Sequence, residues 1–148
     1  MDEIKEMELE ARAEAAKLED PLEVLLGGTL PDMRHDTKHQ TVEIPRLSEA
    51  AGHPVAFEIR GLTHREVQDI NAMPAEERAA QKVVMACVKP DWADRRLCGP
   101  GTGHATAEEA VMAALSPGEL NELALRINLL TGYGQMVTRE IKEAVKNG

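Results

Sequence analysis

Three stretches after residue 60 carry the same four-residue pattern, and together they commit most of the chain to helices. Thr63-His-Arg-Glu66, Thr106-Ala-Glu-Glu109 and Ser116-Pro-Gly-Glu119 each place a hydroxyl three residues ahead of a glutamate. In a capping box the hydroxyl accepts from the free N–H at the third helical position, and the carboxylate reaches back to the N-cap N–H. Leu62 with Val67 and Leu115 with Leu120 add hydrophobic staples to two of these starts. The last start opens LSPGELNELALRINLLTGYGQ, residues 115 to 135, where Leu120, Leu123, Ala124, Ile127 and Leu130 form a broad apolar stripe and Gly132 supplies the stop. No residue on that helix carries obvious chemistry, so its stripe is expected to fill the domain's own core.

The remaining segments are read by their periods. Residues 75 to 88 put Ala80, Val83, Val84 and Cys87 on one helical face ahead of a break at Pro90, and residues 89 to 104 form a long loop that Trp92 pins to the core. Residues 136 to 146 offer a last helix with Val137, Ile141, Ala144 and Val145. Between residues 41 and 60 the period is two. Val42 and Ile44, then Val55, Phe57 and Ile59, alternate with polar neighbours, which predicts a short hairpin with its loop near residues 47 to 52. Ahead of it, residues 2 to 19 carry a narrow stripe, Ile4, Met7, Ala11, Ala15 and Leu18, on a charged helix. Asp20-Pro21 reads as a fresh helix start that Gly27-Gly28 ends. Residues 27 to 40 lack periodicity and read as a linker.

The expected fold is therefore mainly α, within the α+β class: a small helical domain with a short two-stranded β-hairpin, plus an N-terminal charged helix. The expected organisation is an acidic N-terminal helical arm over 1–26, a linker over 27–40, and a hairpin plus helical domain over 41–148. At 148 residues the chain suffices for one ordinary domain with a real core. Aromatics make up only 2%, in Phe57, Trp92 and Tyr133, so that core has to be aliphatic.

Charge narrows the function. The net charge is -9, and residues 1 to 26 hold nine acids against Lys5, Arg12 and Lys17. An acidic chain without a basic patch or an aromatic stacking platform points away from nucleic acid. No apolar run reaches the roughly 20 residues of a membrane span, and the acidic start does not suit a signal peptide. A soluble protein of the cytoplasm is expected, with Cys87 and Cys98 reduced.

The candidate chemical sites are weak. Cys87, Cys98 and His104 could offer thiolate and imidazole to zinc, but a structural site wants four ligands, commonly with a tight Cys-x-x-Cys knuckle, and this pattern has no second pair. GPGTG, residues 99 to 103, is followed by His104-Ala105 where a phosphate loop needs Lys and Ser or Thr, so it reads as a turn. TGYG, residues 131 to 134, reads as a helix stop at Gly132 followed by a tyrosine whose ring is partly buried and whose hydroxyl reaches water. The histidines are scattered, and the carboxylates of residues 2 to 23 read as a solvated face. No enzyme, no cofactor and no metal is expected.

Three passages in order resemble one family, the XkdN-like phage tail assembly chaperones. VEIPRLSEAAGHPVAFEIRGLTHREVQDI is similar to the family's strand, hairpin and following helix start, through Arg46, Gly52, Pro54, Val55, Phe57, Ile59, Arg60, Leu62 and Thr63. VVMACVKPDWADRRL resembles its helix and turn, through Pro90 and Leu97. The closing passage from Leu115 resembles its last helices through Pro117, Gly118, Glu119, Leu123, Ile127, Leu130, Gly132, Lys146 and Asn147. The resemblance spans roughly residues 42 to 147. It implies a non-enzymatic protein of tail morphogenesis in the host cytoplasm, which binds the tape measure protein and helps tail tube subunits assemble around it. A structural subunit retained in the virion tail or baseplate is the alternative. If the stripe of 115 to 130 is core, the surfaces left for clients or self-association are the two chain ends. The partner-binding residues expected there are Ile4, Met7, Leu18, Val137, Ile141 and Val145.

Overall fold

A computed structural model describes residues 18–142 of the chain. It divides into two units, Asp32–Gln135 and a second made of Met1–Pro31 with Met136–Gly148.

Within Asp32–Gln135 the hairpin expectation is corrected: the sheet has three strands in the order β1-β2-β3, all antiparallel. β1 (His39–Glu43) pairs with β2 (Ala56–Arg60) in a register that sets Val42 opposite Phe57 and Gln40 opposite Ile59. Phe57 and Ile59 are buried, and Val42 packs beside them, so this face meets the core. The third strand, β3 (Cys87–Lys89), pairs with the other side of β2 across a register shift. The chain there was expected to stay helical through residue 88. Its three residues are too few to show alternation, and their partner lies about 30 positions away in sequence, so the local pattern kept its helical period.

The connection between β1 and β2 is also corrected, from a loop near 47 to 52 to a helix. α2 (Pro45–Ala51) starts with proline at its first position and stops at Gly52, whose φ of 79° is left-handed. Both punctuation marks were present in the sequence; the helix is simply shorter than a periodic pattern can reveal.

The remaining helices follow their caps. α3 (His64–Asn71) and α6 (Pro117–Thr131) each carry a complete capping box, from Thr63 with Glu66 and from Ser116 with Glu119. α5 (Ala107–Ala114) is capped differently. Thr106 Oγ1 accepts from Glu109 N as expected, but the Glu109 carboxylate reaches Ala105 N instead of the N-cap N–H. α4 (Ala75–Ala86) packs against α3, α5 and α6, with Ala80, Val83 and Ala86 buried. Arg78 on α4 donates to Met73 O at 3.0 Å and Asn71 O at 3.2 Å, satisfying carbonyls at the end of α3.

The stripe of α6 lies in the core, as its pattern predicts: Leu123, Ala124 and Ile127 are buried, and Leu120 and Leu130 pack against the cluster. Gly132 ends the helix with φ 105°. The join between α6 and the sheet is backbone to backbone. A Cβ on Gly61 would stand 2.6 Å from Leu130 O, so only glycine permits that approach. Next to it Leu62 N donates to Thr131 Oγ1 at 2.9 Å, and that hydroxyl donates to Ile127 O at 2.7 Å. Trp92 anchors the long loop as expected, buried edge-on against Phe57 with ring centroids 6.1 Å apart. GPGTG is a closed turn, held by Gly99 N donating to His104 O at 2.7 Å.

In the second unit, α1 (Pro21–Leu26) starts where expected, with Asp20 Oδ1 accepting from Leu22 N at 3.0 Å. The helix expected over 136 to 146 is absent over its described part, 136–142. Met136, Val137 and Ile141 are exposed there, and a segment this short gains too little from propensity without a packed face. The charged helix expected over 2 to 19 lies almost wholly outside the described residues.

Candidate partner-binding surface

Exposed aliphatic surface is concentrated in the unit of the two chain ends. None of the residues of α1 is buried, and Leu25 and Leu26 are 68% and 75% exposed. Leu18, Val137 and Ile141, three of the residues expected to bind partners, are 56%, 72% and 62% exposed. Ile4, Met7 and Val145, the other three, lie outside the described residues. The aliphatic side chains of α1, which the sequence reading did not nominate, extend the same kind of surface. Their signal was Leu22, Leu25 and Leu26 inside a six-residue helix with no apolar partner segment written beside it.

The compact unit offers a second, smaller apolar strip. Leu125 and Leu129 on the outer side of α6, with Tyr133 just past its end, remain exposed. It also has a polar groove of about 820 Å³ where the segment before β1 faces the start of α3, lined by Arg34, His35, His39, His64, Arg65 and Asp69 among others. Arg34 is tied to Asp32 at 2.7 Å, and its guanidinium holds that carboxyl well below the usual carboxylate range.

Two ion pairs tie elements together within Asp32–Gln135. Arg60 grips Glu66 with both guanidinium arms, each at 2.7 Å, and also donates to Gly61 O and Met85 O at 2.9 Å. Glu66 is held below its ordinary value first by that guanidinium, against the opposing effect of burial. Arg46 on α2 reaches Glu119, the capping residue of α6, at 2.8 Å, and donates to Ala114 O at the end of α5. Its guanidinium, with the Ser116 N–H, brings Glu119 down to about 2. Neither pair was legible in sequence, since Arg46 and Glu119 are separated by 73 positions.

The weak chemical candidates are dispersed. The Cys87 thiol is pushed up by burial beside Trp92. Cys98 is a free, half-buried thiol, and His104 closes the turn through its backbone carbonyl. Among the described residues no group of three or more His, Cys, Asp or Glu side chains converges on a metal-sized site, and no helix is long and apolar enough to cross a membrane.

The motif residues behind the family resemblance turn out to be fixings of the fold: Gly52 stops α2, Arg60 clamps Glu66, Thr63 caps α3, and Arg46 joins α2 to α6. Neither a curated protein nor a solved structure matches the chain. A family model does match, over residues 22–146, beginning inside α1 and so well ahead of the motifs noted from residue 42. With most of its length matched, the chain belongs to the phage XkdN-like tail assembly chaperone (TAC) proteins.

Proposed function

We propose that this chain is a non-enzymatic chaperone that binds the tape measure protein in the host cytoplasm and assists assembly of the tail tube around it. Family membership supports the general role. The observation that carries the finer reading is the division of aliphatic surface. α6, the most apolar-striped helix of the sequence, is consumed by the core, while Leu18, Leu25, Leu26, Val137 and Ile141 stand exposed. Exposed aliphatic side chains of this kind suit a long helical client, because affinity then comes from buried area and tolerates varied client sequences. In this reading the acidic arm 1–26 and the linker 27–40 serve the domain 41–148, with Ile4, Met7 and Val145 extending the client surface. The acidic arm keeps a loaded complex soluble or meets a basic stretch of the client.

The test is capture of the tape measure protein by this chain on co-expression. Capture that Ile141→Asp or deletion of residues 1–20 weakens supports the reading. A folded chain that captures nothing, yet is present in stoichiometric amount in purified particles, overturns it in favour of a structural subunit of the tail.

A further inference from the structure

The sheet ends on β1, and the hydrogen-bond register shows which backbone groups that edge leaves unused. Gly61 N donates to Lys38 O at 2.9 Å, which makes Lys38 and Gly61 a hydrogen-bonded pair one step beyond the β1–β2 register. Such pairs alternate in an antiparallel ladder, so Gln40 and Val42 direct their N–H and C=O groups at β2 while His39, Thr41 and Glu43 direct theirs outward. Among the described residues, no hydrogen bond takes up the outward groups, and all three residues are exposed. A five-residue edge in this state is a template for another strand.

We propose that the strand it fits is β1 of a second copy of this chain, antiparallel, with a twofold axis at Thr41. Thr41 then faces Thr41 of the second copy, and His39 faces Glu43 of the second copy on either side. Every outward N–H and C=O of the edge gains a partner. The side chains are prepared for the same register. His39 Nδ1 lies 2.9 Å from Glu58 Oε2, which leaves Nε2 free, and Glu43 Oε2 accepts from Ser48 Oγ at 2.8 Å, which leaves Oε1 free. His39 then stands between the carboxylate of its own Glu58 and that of Glu43 of the second copy. A parallel in-register pairing would need the Gln40 and Val42 backbone groups of the second copy, which its own β2 already holds, so the antiparallel twofold is the pairing this edge can make. On the core-side face, Gln40 of the second copy comes opposite Val42. It reaches there a groove of about 310 Å³ whose floor includes Ile44 and Leu123 and whose rim carries Glu122 and Arg126. The product is one sheet continuous through two protomers, with an isologous contact that closes on itself.

The experiment is sedimentation velocity on the full chain from micromolar to millimolar concentration, with two sets of variants. The wild type is expected to form a reversible dimer. Thr41→Pro is expected to be monomeric with an unchanged far-ultraviolet circular dichroism spectrum, because the N–H it removes points outward and the β1–β2 ladder keeps its bonds. The second set works in a Cys87→Ala, Cys98→Ser background. There the twofold brings the Thr41 Cα atoms to about 5.5 Å, within disulfide reach, so Thr41→Cys should oxidise to a covalent dimer at least about tenfold faster than Gln40→Cys. A wild type monomeric throughout the range overturns the proposal, including one whose β1 edge instead takes an extended client segment. So does a dimer that folded Thr41→Pro leaves intact. If Thr41→Pro fails to fold, equal oxidation rates for the two cysteine variants overturn it and the tenfold difference supports it.

Discussion

Arg60 and Glu66 face each other as two parallel hydrogen bonds of 2.7 Å, with the side chains only 23% and 22% exposed. The arrangement joins the end of β2 to the first turn of α3, and through Met85 O it also reaches the end of α4. Removing the guanidinium strands a half-buried carboxylate and two carbonyls at once. Arg60→Ala is expected to lower unfolding free energy by about 1–3 kcal/mol. Arg60→Lys should recover only part of the loss, because an ammonium cannot form the two-pronged bond. Urea denaturation of the two variants checks both statements.

Gly61 sits where α6 meets the sheet, with room for hydrogen but not for a methyl group. Its Cβ would fall 2.6 Å from Leu130 O and 2.8 Å from Leu130 C, both backbone atoms that cannot rotate away. Gly61→Ala is therefore expected to destabilise by about 1–3 kcal/mol despite being a minimal change. Gly118, which has open space around its would-be Cβ, is the control, and Gly118→Ala should leave the unfolding midpoint nearly unchanged.

Glu119 combines the carboxylate half of a capping box with an ion pair, and the pH dependence of stability should show it. Its carboxyl is lowered from 4.5 to about 2 by the Arg46 guanidinium first and the Ser116 N–H second. A folded value below the unfolded one means stability that is present above the unfolded value and lost as pH falls toward the folded one. Wild type should thus lose stability between about pH 5 and about pH 2, and Glu119→Gln should lose less over the same window. Denaturation curves of both proteins at a series of pH values measure the difference. Equal slopes would show that Glu119 does not contribute.

What was legible in the sequence was what is local. Thr63, Thr106 and Ser116 announced their helices because a cap and its acceptor lie within one turn, and the stripe from Leu120 to Leu130 located the core because its period is internal to the helix. Non-local choices stayed hidden. Cys87–Lys89 becomes a strand only because β2 offers it an edge, and Gly61 looks like any loop glycine until Leu130 arrives beside it. α2 is a different case, since Pro45 and Gly52 marked its ends plainly and the alternation of flanking residues outweighed them. Of the partner-binding residues, Leu18, Val137 and Ile141 are exposed, but exposure alone does not name the partner.

The contrast between the two sides of α6 yields a stability prediction with an internal control. Ile127 is fully buried, whereas Leu125 on the same helix is 58% exposed. Ile127→Ala should cost about 2–5 kcal/mol through lost burial and a residual cavity. Leu125→Ala should stay within about 0.5 kcal/mol. The single Trp92, buried against Phe57, reports unfolding in both variants by its fluorescence.

In the proposed function the chain ends, not the core helix, take the client. Amide hydrogen exchange on the full chain, alone and bound to the tape measure protein, tests it most directly. The client is expected to slow exchange over residues 18–30 and 136–142 and to leave the interior amides of α6 unchanged. Added protection confined to the compact unit, with the chain ends exchanging as in the free protein, would contradict it.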